Sequence, residues 1–367
     1  MKYKNYFLEI EKINKKYGKK FLKIKSLNKF FFNLFLLNKK YYNFETLFFP
    51  KNFILENKNS YNKKFIAGIL AGGMSTRFGG KHKFLLKNKE KISLLGENIL
   101  KIIEYENNNN LKIPIIIFTD YFTIKSIKNH LKYYSYFGKD KNDFYFVKGD
   151  LGYKVKVNKK ILKEFGLEKI YKKLIKTKNN FSNTINKDNF KKYLSTSGHY
   201  IYNNLILSGV LNKIKNKYLI ENEYLIISNC NNIGEKYFKN IINNSNKNLV
   251  IGTKKIGNEK ADLIFQDEDK IKIIPYFIDN FEKLEEKGNI IFTGTIYLNI
   301  NSLLKFFENK ENFYKNTYYP ILKYFGDSVT LYFESCLSDI TNYLEFENYF
   351  IEREECFVPI RDFSIFK

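Results

Sequence analysis

Several residue types that define particular classes of protein are scarce in this chain. Its 367 residues include no Trp and only three Cys, and the wide spacing of those cysteines gives neither a zinc-binding pattern nor a disulfide framework. The N-terminal region carries charges every few residues, unlike a secretory signal peptide, and its most apolar run, residues 30–37, is too short to span a bilayer. We therefore expect a reduced, soluble, cytoplasmic protein without a membrane partner.

Acidic residues and arginine are also scarce. Lys and Arg number 63 against 38 Asp and Glu, a formal net charge of +25, yet only Arg77, Arg353 and Arg361 are arginines. The lysines are scattered and form no long basic tract, as AT-rich coding would produce, so nucleic-acid binding is the minority interpretation. Because a guanidinium group binds phosphate at two points, the rare arginines draw attention to Arg77, in a glycine-rich loop, and Arg361, near the end of the sequence.

Glycine is limited to 19 residues, and four of them, at positions 72, 73, 79 and 80, fall within nine residues. This loop follows the apolar run 65–70 and also contains Thr76, Arg77 and Lys83. Backbone amides exposed by glycine, flanked by cationic side chains, can hold phosphate groups. The loop therefore predicts a nucleotide-phosphate site, and the alternative is a glycine-rich turn with solvated lysines.

Two better-known phosphate loops are excluded by spacing. A P-loop would need Gly at position 75 and Ser or Thr at position 82, where this chain has Ser75 and His82. The dinucleotide fingerprint G-x-G-x-x-G is also absent.

Apolar runs alternate with amphipathic segments along the rest of the chain. We predict helices over residues 92–105, 123–137, 161–175 and 202–215, and strands over 65–70, 113–119, 144–148, 224–228, 249–252, 290–298 and, as the last strand, 329–333. Hairpins are predicted over 152–157 and over 262–277, the second turning at 267–269. This alternation indicates an α/β protein whose sheet is covered by helices on both faces.

The loop sequence LAGGMSTRFGGKHK resembles the signature of sugar-phosphate nucleotidyltransferases, L-x-G-G-x-x-T-R-x-G-x-x-x-K, above all that of UTP–glucose-1-phosphate uridylyltransferases. Molybdenum-cofactor guanylyltransferases and isoprenoid cytidylyltransferases carry a related loop. Two further segments favour the uridylyltransferases. The region around Gly198, His199 and Asn229 to Gly234 is similar to their P-x-G-H-G-D and S-N-x-D-N-L-G motifs, and FVPIR, ending at Arg361, is similar to R-F-x-P-V-K.

The resemblance implies a mixed, mainly parallel, Rossmann-like sheet of the nucleotide-diphospho-sugar transferase type. It divides the chain into an N-terminal helical extension (1–60), a nucleotidyltransferase core (61–302) and a C-terminal portion packed on that core (303–367), with no room for the C-terminal β-helix of longer relatives. It implies that UTP and a sugar 1-phosphate, above all glucose 1-phosphate, are joined to give UDP-sugar and pyrophosphate.

The resemblance also implies roles for single residues. Arg77 and Lys83 would be catalytic, binding the leaving phosphates and the α-phosphate respectively. The implied nucleotide-binding residues are Leu70, Ala71, Gly72, Gly73, Thr76, Gly198, His199, Asn229 and Asn231. The implied sugar-phosphate-binding residues are His199, Thr293, Thr295 and Arg361.

The position of the family's metal-binding aspartate is occupied by Asn231, so the Mg²⁺ that the resemblance implies would meet a neutral ligand there. Three hypotheses therefore stand: an active uridylyltransferase, a catalytically inactive relative that binds a nucleotide or a protein partner, and a basic nucleic-acid-binding protein. The identity of the sugar, the metal ligands and the oligomeric state stay open.

Overall fold

A computed structural model describes residues 47–48, 64–72, 82–87, 91–120, 123–149, 151–153, 155–157, 159–164, 167–168, 171–172, 175, 193–195, 200–220, 223–229, 247–257, 259, 261–268, 270–276, 281–309, 312, 319–325 and 328–353. The strands in this part of the chain are β1 (Leu47–Phe48), β2 (Phe65–Leu70), β3 (Ile115–Thr119), β4 (Phe144–Lys148), β5 (Leu151–Tyr153), β6 (Val155–Lys156), β7 (Tyr193–Ser195), β8 (Tyr224–Asn229), β9 (Asn248–Lys254), β10 (Leu263–Asp267), β11 (Lys270–Ile274), β12 (Ile290–Asn299), β13 (Tyr319–Phe325), β14 (Ser328–Glu334) and β15 (Phe346–Phe350). The α-helices are α1 (Leu94–Asn109), α2 (Ile124–Tyr133), α3 (Lys159–Glu164), α4 (Tyr200–Leu207), α5 (Val210–Tyr218), α6 (Phe281–Glu285) and α7 (Ile300–Glu308).

Ten of the described strands form one mixed sheet, in which β1, β10, β12, β8, β2, β3 and β4 lie in that order. Strands β8, β2, β3 and β4 are parallel to one another, whereas β12 is antiparallel to β8. Strand β9 also pairs with β12, and β15 pairs with β9 in parallel. From β2 the chain continues to β3 and β4 on one side and later to β8 on the other, so the strand order reverses at β2.

The sheet is buried on both faces because its central strands are apolar on both. In β2, Phe65, Ala67 and Ile69 join the core that α1 and α2 cover, whereas Ile66 joins the core that α4, α5 and α7 cover. Near-continuous apolar strands of this kind are typical of parallel sheets between helical layers. The predicted α/β class with helices on both faces is confirmed.

Several element predictions are confirmed: β2, β3, β4, β8, β9, β12, helix α1 and the hairpin of β10 and β11, which turns between Asp267 and Lys270. The predicted helix 123–137 is α2 followed by a 3₁₀ turn, Ser135–Gly138. The single helix predicted over 202–215 is wrong: it is two helices, α4 and α5, because Gly209 between them has a φ of 66°.

The hairpin predicted over residues 152–157 is also wrong. Strand β5 pairs with β7, and β6 pairs with β14. The two segments are separated by a single residue and each finds a partner far away in the sequence. Residues 329–333 do lie within a strand, β14, but β15 follows it and belongs to the main sheet, so β14 is not the last strand.

None of the helices in the described ranges is long and apolar enough to cross a membrane. The boundaries predicted at residues 60 and 303 stay predictions.

Candidate functional site

The carboxyl ends of three adjacent parallel strands lie side by side at one edge of the main sheet. Leu70, the last residue of β2, is in register with Asn229 at the end of β8 and with Phe118 of β3. The amide of Ala71 donates to the carbonyl of Phe118 at 2.9 Å, so the pairing of β2 with β3 continues beyond Leu70. In open α/β sheets, ligands bind outside the carboxyl ends of the strands at the point where the strand order reverses, which here is β2.

Gly72 begins the glycine-rich loop at this edge. It is exposed, and a side chain at this position would lie 3.4 Å from the carbonyl carbon of Thr119 and 3.5 Å from the amide nitrogen of Asp120. The chain enters the described part again at His82, whose carbonyl accepts a hydrogen bond from Leu85 at 3.0 Å. Lys83 begins the 3₁₀ turn Lys83–Leu85 that this bond closes.

Strand β12 brings the segment of Thr293 and Thr295 to the same edge. Ile296 pairs with Ile227 of the antiparallel neighbour β8, so the residues before Ile296 run beside the carboxyl end of β8. The register of β12 against β9 shifts between Phe292 and Ile296, and Gly294 within this irregularity has a φ of 84°. Such a bulge needs the backbone freedom of glycine and redirects neighbouring side chains.

Both threonines of this segment are buried, Thr293 at 1% and Thr295 at 0% exposure. The hydroxyl of Thr293 donates to the carbonyl of Ile251 at 3.0 Å and thereby ties β12 to β9 across the bulge. This hydrogen bond gives Thr293 a structural role, and its contact with a sugar phosphate stays a prediction.

The helix that follows Gly198 and His199 is anchored to this edge as well. Tyr200 begins α4, and the side-chain amide of Asn204 donates to the carbonyl of Lys148, the last residue of β4, at 3.1 Å. Helix α4 is held from its other side by the hydroxyl of Tyr202, which donates to the carbonyl of Leu337 at 2.9 Å.

The structure thus brings together Leu70, Ala71, Gly72, the backbone of Asn229, and the segment of Thr293 and Thr295, whereas Lys83 is placed only as the start of the 3₁₀ turn after the loop. The remaining predicted site residues lie outside the described ranges, as does the side chain of Lys83: Gly73, Thr76, Arg77, Gly198, His199, Asn231 and Arg361. Their roles stay predictions.

One acidic residue lies at this edge that the sequence analysis did not single out. Asp120 follows β3, is 1% exposed, and accepts a hydrogen bond through Oδ1 from the amide of Thr123 at 2.7 Å. The hydroxyl of Thr123 accepts the amide of Asp120 in return at 3.1 Å, and this exchange fixes the start of α2. Asp120 could have been found from the sequence, because it is an acidic residue directly after an apolar run that predicts a buried strand.

The described residues contain no group of three or more His, Cys, Asp or Glu side chains that could hold a metal ion. Mg²⁺ prefers charged oxygen ligands, and the residue at the family's metal position is Asn231. Because Mg²⁺ in nucleotide sites is usually held by only one or two carboxylates together with substrate phosphates, the Mg²⁺ that the resemblance implies stays a prediction.

Comparison with solved structures gives extended matches. The UDP-glucose phosphorylase from Trypanosoma brucei matches with a TM-score of 0.67 at 17% identity, over 93% of this chain and 74% of that one. A variant of the UDP-glucose pyrophosphorylase from Leishmania major in complex with UDP-Glc matches with a TM-score of 0.71 at 13% identity, over 97% and 77% of the two chains. This chain has the fold of the UDP-sugar pyrophosphorylases.

A more distant match within the same fold comes from Entamoeba histolytica. Its putative UDP-N-acetylglucosamine pyrophosphorylase aligns with a TM-score of 0.55 at 18% identity, over 82% of this chain and 76% of that one. No protein-family model matches the sequence. The comparison with curated protein sequences likewise returns no match. The structural matches confirm the Rossmann-like, nucleotide-diphospho-sugar transferase type of fold that the resemblance implies.

Proposed function

We propose that this chain is a nucleotidyltransferase that joins UTP and a sugar 1-phosphate, with glucose 1-phosphate as the favoured substrate, to give a UDP-sugar and pyrophosphate. One observation carries the proposal: the described part of the predicted site, from Leu70 to Gly72 with Asn229 and Thr295, lies at a single edge of a sheet of the pyrophosphorylase fold. One protein of this fold is in complex with UDP-Glc.

The reaction defines what the site must do. An oxygen of the sugar 1-phosphate attacks the α-phosphorus of UTP, the bond between that phosphorus and the bridging oxygen breaks, and pyrophosphate leaves with the bonding electrons. Two polyanions must be held together while charge develops on the α-phosphate. In this proposal the amides of Gly72 and Gly73 hold the nucleotide phosphates, Arg77 binds the leaving pyrophosphate, and Lys83 stabilises the α-phosphate.

Pyrophosphate release from the purified full chain tests the proposal. UTP, glucose 1-phosphate and Mg²⁺ are supplied together and each is then omitted in turn. We expect release only when both substrates are present, because neither alone can complete the transfer. Release from UTP without a sugar phosphate would instead indicate a nucleotide hydrolase, and absence of release with every sugar 1-phosphate tried would contradict the proposal.

A second candidate is a catalytically inactive relative that binds the nucleotide, and the neutral residue at position 231 favours it. Asn231→Asp restores a carboxylate that can bind Mg²⁺. For the second candidate we expect the original chain to bind UTP without turnover and the Asn231→Asp variant to gain Mg²⁺-dependent pyrophosphate release.

Calorimetry of UTP binding, with and without Mg²⁺, accompanies that assay. The Asn231→Gln variant is the matched control, because it changes the side chain without adding a charge. Turnover by the original chain at a rate equal to that of Asn231→Asp would exclude the inactive relative.

A further inference from the structure

The two ends of the glycine-rich loop come close to the same buried residue, Asp120. Gly72, at the start, packs against the backbone of Asp120, and the carboxylate of Asp120 acts electrostatically on the imidazole of His82, at the end. His82 therefore lies beside the predicted phosphate site and directly before Lys83. His82 is one of three histidines in the chain.

One nitrogen of His82 has an unmet hydrogen bond. Its Nδ1 is buried and has no hydrogen-bond partner among the described residues. A buried polar atom without a partner typically costs about 1–3 kcal/mol, and such atoms in folded proteins often belong to sites that a ligand or water completes. His130, by contrast, has its Nε2 2.7 Å from the hydroxyl oxygen of Ser93.

When no anion is bound nearby, the surroundings of His82 favour its neutral imidazole form. Burial lowers the pKa of His82 from its ordinary value of 6.5, and the carboxylate of Asp120 opposes that effect. In the described part of the chain, Asp120 is the charged group that acts on His82. The aromatic neighbour of His82 in its own segment is Phe84, and the centroids of the two rings are 5.8 Å apart. A phosphate group nearby would favour the imidazolium form, in which both nitrogens donate hydrogen bonds.

We propose that His82 is a positioning residue that donates a hydrogen bond through Nδ1 to the diphosphate of the bound nucleotide and takes up a proton when the nucleotide binds. This inference rests on the proposed function and adds a residue to its nucleotide site. It makes nucleotide affinity depend on pH. Affinity increases as the pH falls through the range in which His82 titrates, since protonation and binding favour each other.

Calorimetric titration with UDP-glucose tests the inference, because the diphosphate diester of that ligand keeps a constant charge between about pH 5.5 and about pH 8, the range in which a histidine titrates. We expect the affinity of the original chain to rise about tenfold from the upper to the lower pH, which corresponds to a pKa increase of about one unit on binding. Heats measured in two buffers of different ionisation enthalpy should show net proton uptake.

Two substitutions separate the position of the donor from its charge. An asparagine amide can occupy the place of Nδ1, so His82→Asn should keep most of the affinity at about pH 8 while losing the pH dependence. His82→Gln places its amide nearer to the position of Nε2 and should lose both affinity and pH dependence. His130→Gln is the control, because His130 lies towards the far end of α2, and its pH profile should match that of the original chain.

Three results would overturn the inference. If the original chain binds UDP-glucose with the same affinity at every pH, this inference is overturned while the proposed function stands. A pH dependence that survives in His82→Gln would do the same and would point to His199. Absence of UDP-glucose binding at every pH would overturn the proposed function and this inference with it.

Discussion

Replacement of Lys83 by alanine should lower the rate of pyrophosphate release by a factor of about 10²–10³, the effect usually seen when one preorganised charge or donor is removed from a developing oxyanion. In the proposed reaction the ammonium group of Lys83 meets the α-phosphate, where negative charge increases most in the transition state. The loss should therefore appear in kcat and in kcat/KM alike. Calorimetry should find that UTP binding is much less affected.

The matched control for this substitution is Lys64→Ala. Lys64 is exposed directly before β2, at the amino end of the strand and away from the site. The two variants lose the same charge, so a general electrostatic effect of this basic chain would appear in both. A loss of activity in Lys83→Ala no larger than that in Lys64→Ala would contradict the catalytic role of Lys83.

Asp143→Ala should cost about 3–5 kcal/mol of the free energy of unfolding, the range found when one member of a buried ion pair is removed. Asp143, directly before β4, is 1% exposed and accepts a hydrogen bond from the hydroxyl of Tyr218. Its carboxylate also lies 3.3 Å from the ammonium of Lys217 and 3.6 Å from that of Lys139, which is itself buried. The substitution removes the carboxylate that accepts from Tyr218 and leaves Lys139 with Glu106 as its acidic partner in the described part of the chain.

Chemical denaturation of Asp143→Ala and of Lys112→Ala measures this difference. Lys112 lies 3.9 Å from the same carboxylate but is 63% exposed, so its removal should cost less than about 1 kcal/mol. A cost below about 1 kcal/mol for Asp143→Ala as well would show that the buried cluster does not stabilise the fold, against the expectation for a buried pair.

The same carboxylate makes stability depend on pH. Burial alone would raise the pKa of Asp143, but the hydrogen bond from Tyr218 and the charges of Lys139 and Lys217 lower it below its ordinary value of 3.8. The unfolded chain therefore takes up this proton at a higher pH than the folded chain does. The contribution of Asp143 is present above about pH 4 and is lost as the pH falls through the lower folded-state pKa, a loss that the Asp143→Ala variant should lack.

The parallel half of the sheet could be predicted from the sequence because its strands are short apolar runs with clear ends. Strand β3, for example, is five consecutive buried residues, Ile115–Thr119, and Asp120 follows it directly. The hairpin of β10 and β11 was predictable for a different reason, since the acidic residues 267–269 lie between two apolar runs and mark the turn. These signals are local, and they need no knowledge of distant partners.

Pairing between distant segments was not predictable. Strands β5 and β6 each pair with a segment far along the chain, and β15, with the sequence FENYF, is recognised as a strand only by its parallel pairing with β9. Phe and Tyr are common throughout this chain, with 36 and 29 residues, so an aromatic-rich strand does not differ in composition from its surroundings. The role of Arg353 was not predictable for the same reason, because it depends on a contact between distant segments. Its guanidinium lies 2.8 Å from the carboxylate of Glu259 and is partly buried.

The location of the candidate site was predictable, whereas part of its content was not. A glycine-rich loop after the first strand of a parallel sheet must open at the carboxyl edge, and Gly72 does so. The approach of Asp120 to both ends of that loop depends on how β2 and β3 pair, and the burial of Thr293 depends on the bulge in β12. Neither feature has a signature in the local sequence.

Hydrogen–deuterium exchange with and without saturating UDP-glucose tests the central claim most directly, namely that a nucleotide sugar binds at the carboxyl edge formed by β2, β3 and β8. We predict slower exchange in peptides that contain Gly72 and in peptides that contain Asn229. Peptides around Asp143, at the opposite edge of the sheet, should be unchanged. Protection confined to other parts of the chain, with the Gly72 and Asn229 peptides unaltered although UDP-glucose is bound, would contradict the claim.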